Sequence, residues 1–508
     1  MKQYKLSDYV RLLHNKNLLK HSLLAASKDL IVDNLTFDSK SVTENTLFVC
    51  KGAAFKAAYL QEAIDKGAIA YVSEQVYEGM EDYPHIIVSD IRKAMPDLAE
   101  LYSDYAWQKL NLIGIGGTKG KSTSAYYMKA VIDDYMDAID GRESAVVSSI
   151  DVYDGIERKE SHITTPEAIE LHQHFKNAVE SDISFLQMEV SSQALKYNRV
   201  DNIEFEIGIF LNISEDHISP IEHPDFEDYF ASKLSMFEKT KHAIVNLDAD
   251  YSDRILKSAG ICETVTTFST QNPEADIYGY DIRKEGLETV FRVRTENFDE
   301  EFRLSMPGFF NVENALGVIG ASVKLGIPKR HIHSGLYRAK SSGRMELYAS
   351  KDNSLIAVVD YAHNKLSFEK LCSSMKKEYP DYSIVSIFGC PGNKAQLRRK
   401  DLALVAGAYA DKIIITAEDP GTEDVNAISN EIAKNVEETG CPYVLIEDRG
   451  EAIKKAVDEA AGKTLLLITG KGNETRQKYG REYIDCKSDV EYVKDYIKEY
   501  NKKISLCI

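Results

Sequence analysis

The sequence predicts an α/β protein of three domains. These are a small N-terminal α/β unit (1–105), a central parallel-sheet domain built on a phosphate-binding loop (106–340), and a doubly wound, Rossmann-like C-terminal domain (341–508). Three observations carry this. A chain of 508 residues has room for three domains of about 150 residues each. Short apolar runs alternate with helical segments, the pattern of parallel sheets with crossover helices. A glycine-rich loop, GIGGTKGKSTS (114–124), stands between the apolar run LNLI and the helical segment AYYMKAVIDDYM.

In the first domain, TLFVC (46–50), AIAYVSE (68–74) and HIIVSD (85–90) read as strands, with AAYLQEAIDKG as a helix after the first. In the central domain the strands are LNLIGI, ISFLQMEV, FEIGIFLNI and HAIVNLD. Residues 276–306 alternate with turns, as antiparallel strands do, and NVENALGVIGASVKLG reads as a helix. The third domain begins near SSGRMEL. Its strands SLIAVVDYAH, YSIVSIFGC, KIIITAEDP and TLLLITGKG end in polar or glycine residues, and helices such as LALVAGAYA and EAIKKAVDEAAG separate them. Ligands in such sheets bind beyond the carboxyl ends of the strands.

Composition is that of a globular protein, with 44% hydrophobic residues to fill its cores. A net charge of −18 argues against a general nucleic-acid binder. The N-terminal stretch lacks the continuous apolar core of a signal peptide. No run approaches the roughly 18 apolar residues of a membrane helix. Seven dispersed cysteines without a CxxC pair argue against a disulfide framework or a zinc site. The expectation is a cytoplasmic protein with no membrane insertion.

The loop carries the first chemistry. Among its glycines, Gly114, Gly117 and Gly120 are out of register with the usual P-loop, which has glycine where Ile115 stands. Even so, strand, glycines, Gly-Lys-Ser and helix coincide, so Lys121 is placed to neutralise phosphate and Ser122 to ligate Mg²⁺. Two other strand ends on the same sheet edge carry metal-type residues: Glu189 in FLQMEV, and Asp216-His217 in IFLNISEDH. VVDYAH (358–363) has the form of a second metal motif of P-loop ATPases. GNKAQ (392–396) is half a guanine-reading motif, with Gln396 in place of the aspartate, which disfavours a GTPase switch.

Seven motifs occur in series: GTKGKST, TTPE (164–167), MEVSSQAL (188–195), FLNISEDHI (210–218), GFFNVENALGVIG (308–320), SGRME (342–346) and DYAHN (360–364). Together they resemble the Mur ligases, and among these the branch adding the third peptide residue to UDP-N-acetylmuramoyl-L-Ala-D-Glu. The off-register glycines are usual in that family. The resemblance implies an ATP- and Mg²⁺-dependent amide-forming ligase, a monomer acting on the UDP-muramoyl dipeptide and a free amino acid.

It also implies roles. Gly117, Thr118, Lys119, Gly120, Lys121 and Ser122 cradle ATP phosphates. Ser122, Glu189 and His217 serve the metal, and Lys233 in YFASKLSMF is carbamylated. Lys121, Glu189, His217 and Lys233 form the catalytic set. Ser39, Thr164, Thr165, Ser191, Gln193 and Arg199 contact the UDP substrate. Asn311 and Asn314 border the adenine, with Arg344 and Asp360 entering from the third domain. The amino acid meets Arg399, Glu418, Asp419, Gly421, Gly470 and Glu474.

Three positions depart from the common pattern: Lys40 in DSK, Gln193 after EVSS, and Asn473 in GKGNE. Gln193, residues 217–230 and GNKAQLRRKD (392–401) are similar to the lysine-adding branch. Relatives that add diaminopimelate have Asp-Asn-Pro-Arg where this chain has Glu418-Asp419-Pro420-Gly421, so a guanidinium for a second carboxylate is missing. The expected amino acid is L-lysine. Meso-diaminopimelate and then ornithine stand as alternatives, with a non-catalytic nucleotide-binding paralogue behind them.

Overall fold

The computed structural model describes residues 2–507 apart from 53, 54, 162, 216, 217 and 219–221. The chain divides into two compact units, Met1–Phe268 with Gly317–Ile332, and Ser269–Leu316 with His333–Ile508.

The first unit opens with strands β1 (Leu19–Leu23), β2 (Asn34–Thr36), β3 (Thr46–Val49), β4 (Ala68–Ser73) and β5 (His85–Val88), ordered β1-β5-β4-β3-β2. β3 and β5 are buried along their whole length, as strands of a covered sheet are. β1 joins antiparallel to β5 and exposes its last four residues, so no apolar alternation announces it in the sequence.

A second sheet in this unit comprises β6 (Asn111–Gly116), β7 (Ala145–Val147), β8 (Asp151–Tyr153), β9 (Arg158–Glu160), β10 (Phe185–Glu189), β11 (Phe205–Phe210), β12 (Thr240–Asn246) and β13 (Thr264–Ser269). Their order is β13-β12-β11-β6-β10-β7-β8-β9, parallel from β13 to β7. β6 has β10 on one side and β11 on the other. The winding reverses there, so its carboxyl end opens the crevice where such sheets bind ligands. The register sets Glu189 opposite Ile115 and Phe210 opposite Gly116. Gly114 lies inside the strand rather than in the loop. A Cβ there would meet the Phe205 ring at 2.9 Å, and one at Gly116 would meet Met236 Sδ at 2.7 Å. These two glycines serve packing.

The second unit holds the antiparallel meander β14 (Ile277–Glu285), β15 (Glu288–Arg294) and β16 (Asp299–Leu304), as the alternation over 276–306 predicts. Its main sheet comprises β17 (Glu346–Ala349), β18 (Leu355–Asp360), β19 (Ser383–Phe388), β20 (Lys412–Ile415), β21 (Tyr443–Leu445) and β22 (Thr464–Thr469), ordered β17-β18-β22-β19-β20-β21. Only β17 runs antiparallel.

A buried ion pair ties this sheet's carboxyl edge together. Arg449 bonds both oxygens of Asp489, at 2.6 and 2.7 Å, and the carbonyl of Thr469 at 2.6 Å. It thereby joins the end of β22 to the start of the helix Asp489–Cys507. Arg449→Ala leaves Asp489 buried without its cation and should lower stability by about 3–5 kcal/mol. Arg449→Met with Asp489→Leu should recover most of that loss, as guanidinium unfolding curves of the three proteins would show.

Candidate active site

The glycine loop follows β6 and ends on the helix Lys121–Asp137, whose N-cap is Gly120 at φ +87°. That left-handed conformation suits glycine, and it turns the helix N-terminus toward the loop. Gly117 is needed for a close approach, since a Cβ there would lie 3.1 Å from Leu211 Cβ. The loop is clamped by Asn212. Its Oδ1 accepts from the N–H groups of Thr118 (3.1 Å) and Lys119 (2.9 Å), and its Nδ2 donates to the Lys119 carbonyl at 3.0 Å. The Thr118 hydroxyl bonds Tyr229 Oη at 3.0 Å.

Two lysines meet on this loop. Lys121 Nζ donates to the carbonyls of Gly117 (3.0 Å) and Thr118 (3.1 Å). Lys233, almost fully buried, donates to the Gly117 carbonyl at 2.7 Å and lies over the Tyr229 ring. The expected loop residues and Lys233 therefore come together.

Ser122 Oγ lies 3.0 Å from Ser149 Oγ, and Ser149 bonds the buried carboxylate of Glu189. Ser122 and Glu189 thus converge as expected. His217 and Asp216 lie outside the described residues. The Glu189 carbonyl accepts from Thr165 Oγ1, whose oxygen in turn receives the Ser191 N–H at 3.0 Å. Arg199 donates to the Thr165 carbonyl and pairs with Glu167 at 2.9 Å, which Lys51 also reaches at 2.8 Å. Gln193 and Arg199 line a cavity of about 280 Å³ together with Lys51, Arg92, Glu167 and Tyr197. Thr164 is half-buried beside Thr165. The Ser39 hydroxyl is bonded to Glu62 at 2.7 Å.

In the second unit, Asn311 and Asn314 are buried and bonded to one another at 2.9 Å. Asp360 accepts from the N–H groups of Met345 and Ala362, and the Arg344 guanidinium stacks on Tyr361. Lys471, nearly fully buried, bonds Asp419 at 2.9 Å and Glu474 at 2.5 Å, so one cation stands among three carboxyl groups. The third is Glu418. Burial pushes its carboxyl up to about 7, and Asp419 adds to the shift while Arg449 and Lys471 oppose it. Gly470 lies against Glu418, its Cβ position 3.3 Å from Oε2. Gly421 has φ +59°, and a side chain there would start 2.7 Å from Asn393 Oδ1. Arg399 is bonded at 2.6 Å to Glu423 and at 2.6 Å to Glu431. Arg399 itself is almost fully buried, whereas Glu431 is 60% exposed.

Asn212, Ser149, Glu167 and Lys471 join these contacts without being expected from the sequence. Asn212 and Glu167 lie inside motifs already quoted, and Lys471 precedes the Gly472-Asn473-Glu474 run. Ser149 has no local signal.

Residues 115–322 match the Mur ligase middle domain, and residues 343–472 match the domain described as Mur ligase, glutamate ligase domain. The chain belongs to the Mur ligase family. It is 37% identical to the UDP-N-acetylmuramoyl-L-alanyl-D-glutamate–L-lysine ligase of Enterococcus faecalis, over 88% of each chain. It is 34% identical to the corresponding 2,6-diaminopimelate ligase of Clostridium perfringens, over 91% of this chain and 95% of that one. A solved UDP-N-acetylmuramoyl-L-alanyl-D-glutamate–2,6-diaminopimelate ligase superposes with a TM-score of 0.67 at 22% identity, covering 98% of this chain and 99% of that one, which speaks for the fold. Among the described residues no helix is long and apolar enough to cross a membrane.

Glu418 makes stability pH-dependent. The folded protein keeps this proton up to about pH 7, whereas an unperturbed glutamate releases it near 4.5. The folded state therefore binds more protons in that window, and this group's contribution falls as pH rises from about 4.5 to 7, by roughly 3 kcal/mol in all. Glu418→Gln should flatten that part of the stability–pH curve, measured by denaturant unfolding at stepped pH.

Proposed function

We propose that the chain is an ATP-dependent ligase that joins L-lysine to UDP-N-acetylmuramoyl-L-Ala-D-Glu through an acyl phosphate. The clamped glycine loop at the mouth of β6, with Lys121 on it and Ser122 and Glu189 beside it, supports the phosphoryl step. Serine hydroxyl and carboxylate oxygens fit a hard cation such as Mg²⁺, which when bound supplies neutralising charge to the phosphates.

The chemistry follows from residue types. The substrate carboxylate attacks the γ-phosphorus of ATP and ADP leaves. The amine then attacks the acyl carbon and phosphate leaves. Lys121 neutralises charge that grows on the transferred group, and the first-turn N–H groups of its helix orient the phosphates. The cavity that Arg199 and Gln193 line holds the muramoyl peptide. Lys233 is read as carbamylated. A carbamate keeps one N–H, which can still donate to the Gly117 carbonyl.

The acidic excess around Lys471 carries the lysine assignment. Asp419 and Glu474 offer more negative charge than Lys471 cancels, and Glu418 can add to it by releasing its proton, which suits a side-chain ammonium. Gly421 supplies no guanidinium for a second carboxylate. Arg399 takes the α-carboxylate by exchange with Glu431. The Clostridium perfringens relative keeps diaminopimelate as the second reading.

Lys121→Ala should lower phosphate release at least about 10²-fold with the fold intact, and Lys233→Ala should be nearly inactive. Phosphate release that the UDP-muramoyl dipeptide and an amino acid fail to stimulate would point to a non-catalytic paralogue. With L-lysine and meso-diaminopimelate at equal concentration, mass analysis should find mainly the lysine product. Predominant diaminopimelate would reverse the assignment.

A further inference from the structure

Ser149 lies in the turn between β7 and β8, and that turn is locked. The buried Ser148 accepts from the N–H groups of Ile150 and Asp151 at 3.1 Å each, and donates to the Asp151 carbonyl at 2.9 Å. Ser149 is thereby held against two other elements. Its N–H and its hydroxyl both point to one oxygen of Glu189, Oε1, at 2.8 and 3.1 Å. Its Oγ also lies 3.0 Å from Ser122 Oγ at the start of the loop helix.

Donor and acceptor bookkeeping fixes the polarity of this chain. An ionised carboxylate only accepts, and a hydroxyl has one hydrogen to give. The Ser149 hydrogen is spent on Glu189. The bond between the two serines then runs one way, with Ser122 donating and Ser149 accepting. Ser122 has given its hydrogen away and keeps a lone pair. Glu189 Oε1 receives two donors, while Oε2 has no partner among the described residues.

We infer that Ser149 is a positioning residue. It sets the hydrogen-bond polarity that leaves Ser122 Oγ and Glu189 Oε2 as two acceptor oxygens for a divalent cation. Without its hydroxyl, Ser122 is free to turn its own hydrogen toward Glu189 or the cation, and Glu189 loses one of two bonds that hold its rotamer. The inference rests on the proposed reading of the loop as a nucleotide–metal site.

Mn²⁺ binding to the full-length chain, followed by electron paramagnetic resonance with the ATP analogue AMP-PNP present, tests it. Ser149→Thr keeps the hydroxyl, and Ser149→Val replaces it with a methyl of similar shape. The threonine variant should bind Mn²⁺ within about threefold of the wild type, and the valine variant roughly 10- to 100-fold more weakly, the usual effect of losing a partner behind a metal ligand. AMP-PNP affinity in EDTA and thermal unfolding should match between the two variants. Equal Mn²⁺ affinity in the valine and threonine variants would overturn the inference and leave the site reading standing. Absence of Mn²⁺ binding in the wild type would overturn both.

Discussion

The glycine loop depends on one amide side chain. Thr118 and Lys119 point their N–H groups at Asn212 Oδ1, and the same amide returns a bond to the Lys119 carbonyl. Glycine-rich backbone is costly to order, because glycine loses the most conformational freedom on folding. Bonds from a strand end that is itself fixed offset that cost. Asn212 is fixed because β11 pairs with β6 as far as Phe210 opposite Gly116, so the two chains leave the sheet side by side. The loop is therefore shaped by the protein itself, so under the proposed function its ordering is not charged against phosphate binding.

A different problem is solved in the second unit, where charges are buried. Arg449 is compensated by Asp489 and by the carbonyls of Thr469 and Ala417, so it serves as an anchor. Lys471 is compensated twice, and burial works against its charge while Glu474 and Asp419 hold its ammonium above the usual range. Glu418 has no ion-pair partner among the described residues, and burial outweighs the nearby Arg449 and Lys471 and keeps it protonated to about pH 7.

How much the sequence revealed follows from the range of each interaction. β6, its loop and the loop helix were legible because a strand, glycine loop and helix of this kind are built from consecutive residues. The strands of the second unit's main sheet were legible because parallel strands buried on both faces are written as apolar runs. β1 was not, since an exposed edge strand needs no apolar pattern. Nor were the Asn212 clamp and the bonds of Ser149 to Glu189 and Ser122. Asn212 meets Thr118 across 94 residues, and Ser149 meets Glu189 across 40. Only the sheet register brings such pairs together. Gly114 shows the converse error: a glycine in a glycine-rich run reads as loop, while its role is to let Phe205 pack on the strand.

The backbone at Gly421 bears on the proposed substrate choice. Gly421 is more than an absent side chain. Its N–H bonds the Lys478 carbonyl at 2.9 Å, its carbonyl accepts from Gly480 at 2.6 Å, and Asn393 Oδ1 receives both the N–H and the hydroxyl of Thr422 at 2.9 Å. The loop is thus stitched in a left-handed conformation that a branched or long side chain resists. An arginine introduced at this position would have to break these bonds or push Asn393 aside before it could meet a second carboxylate. The local backbone therefore opposes a recognition mode built on that residue, while the acidic residues two and three positions earlier favour a cation. Conformation and charge in this short stretch point the same way.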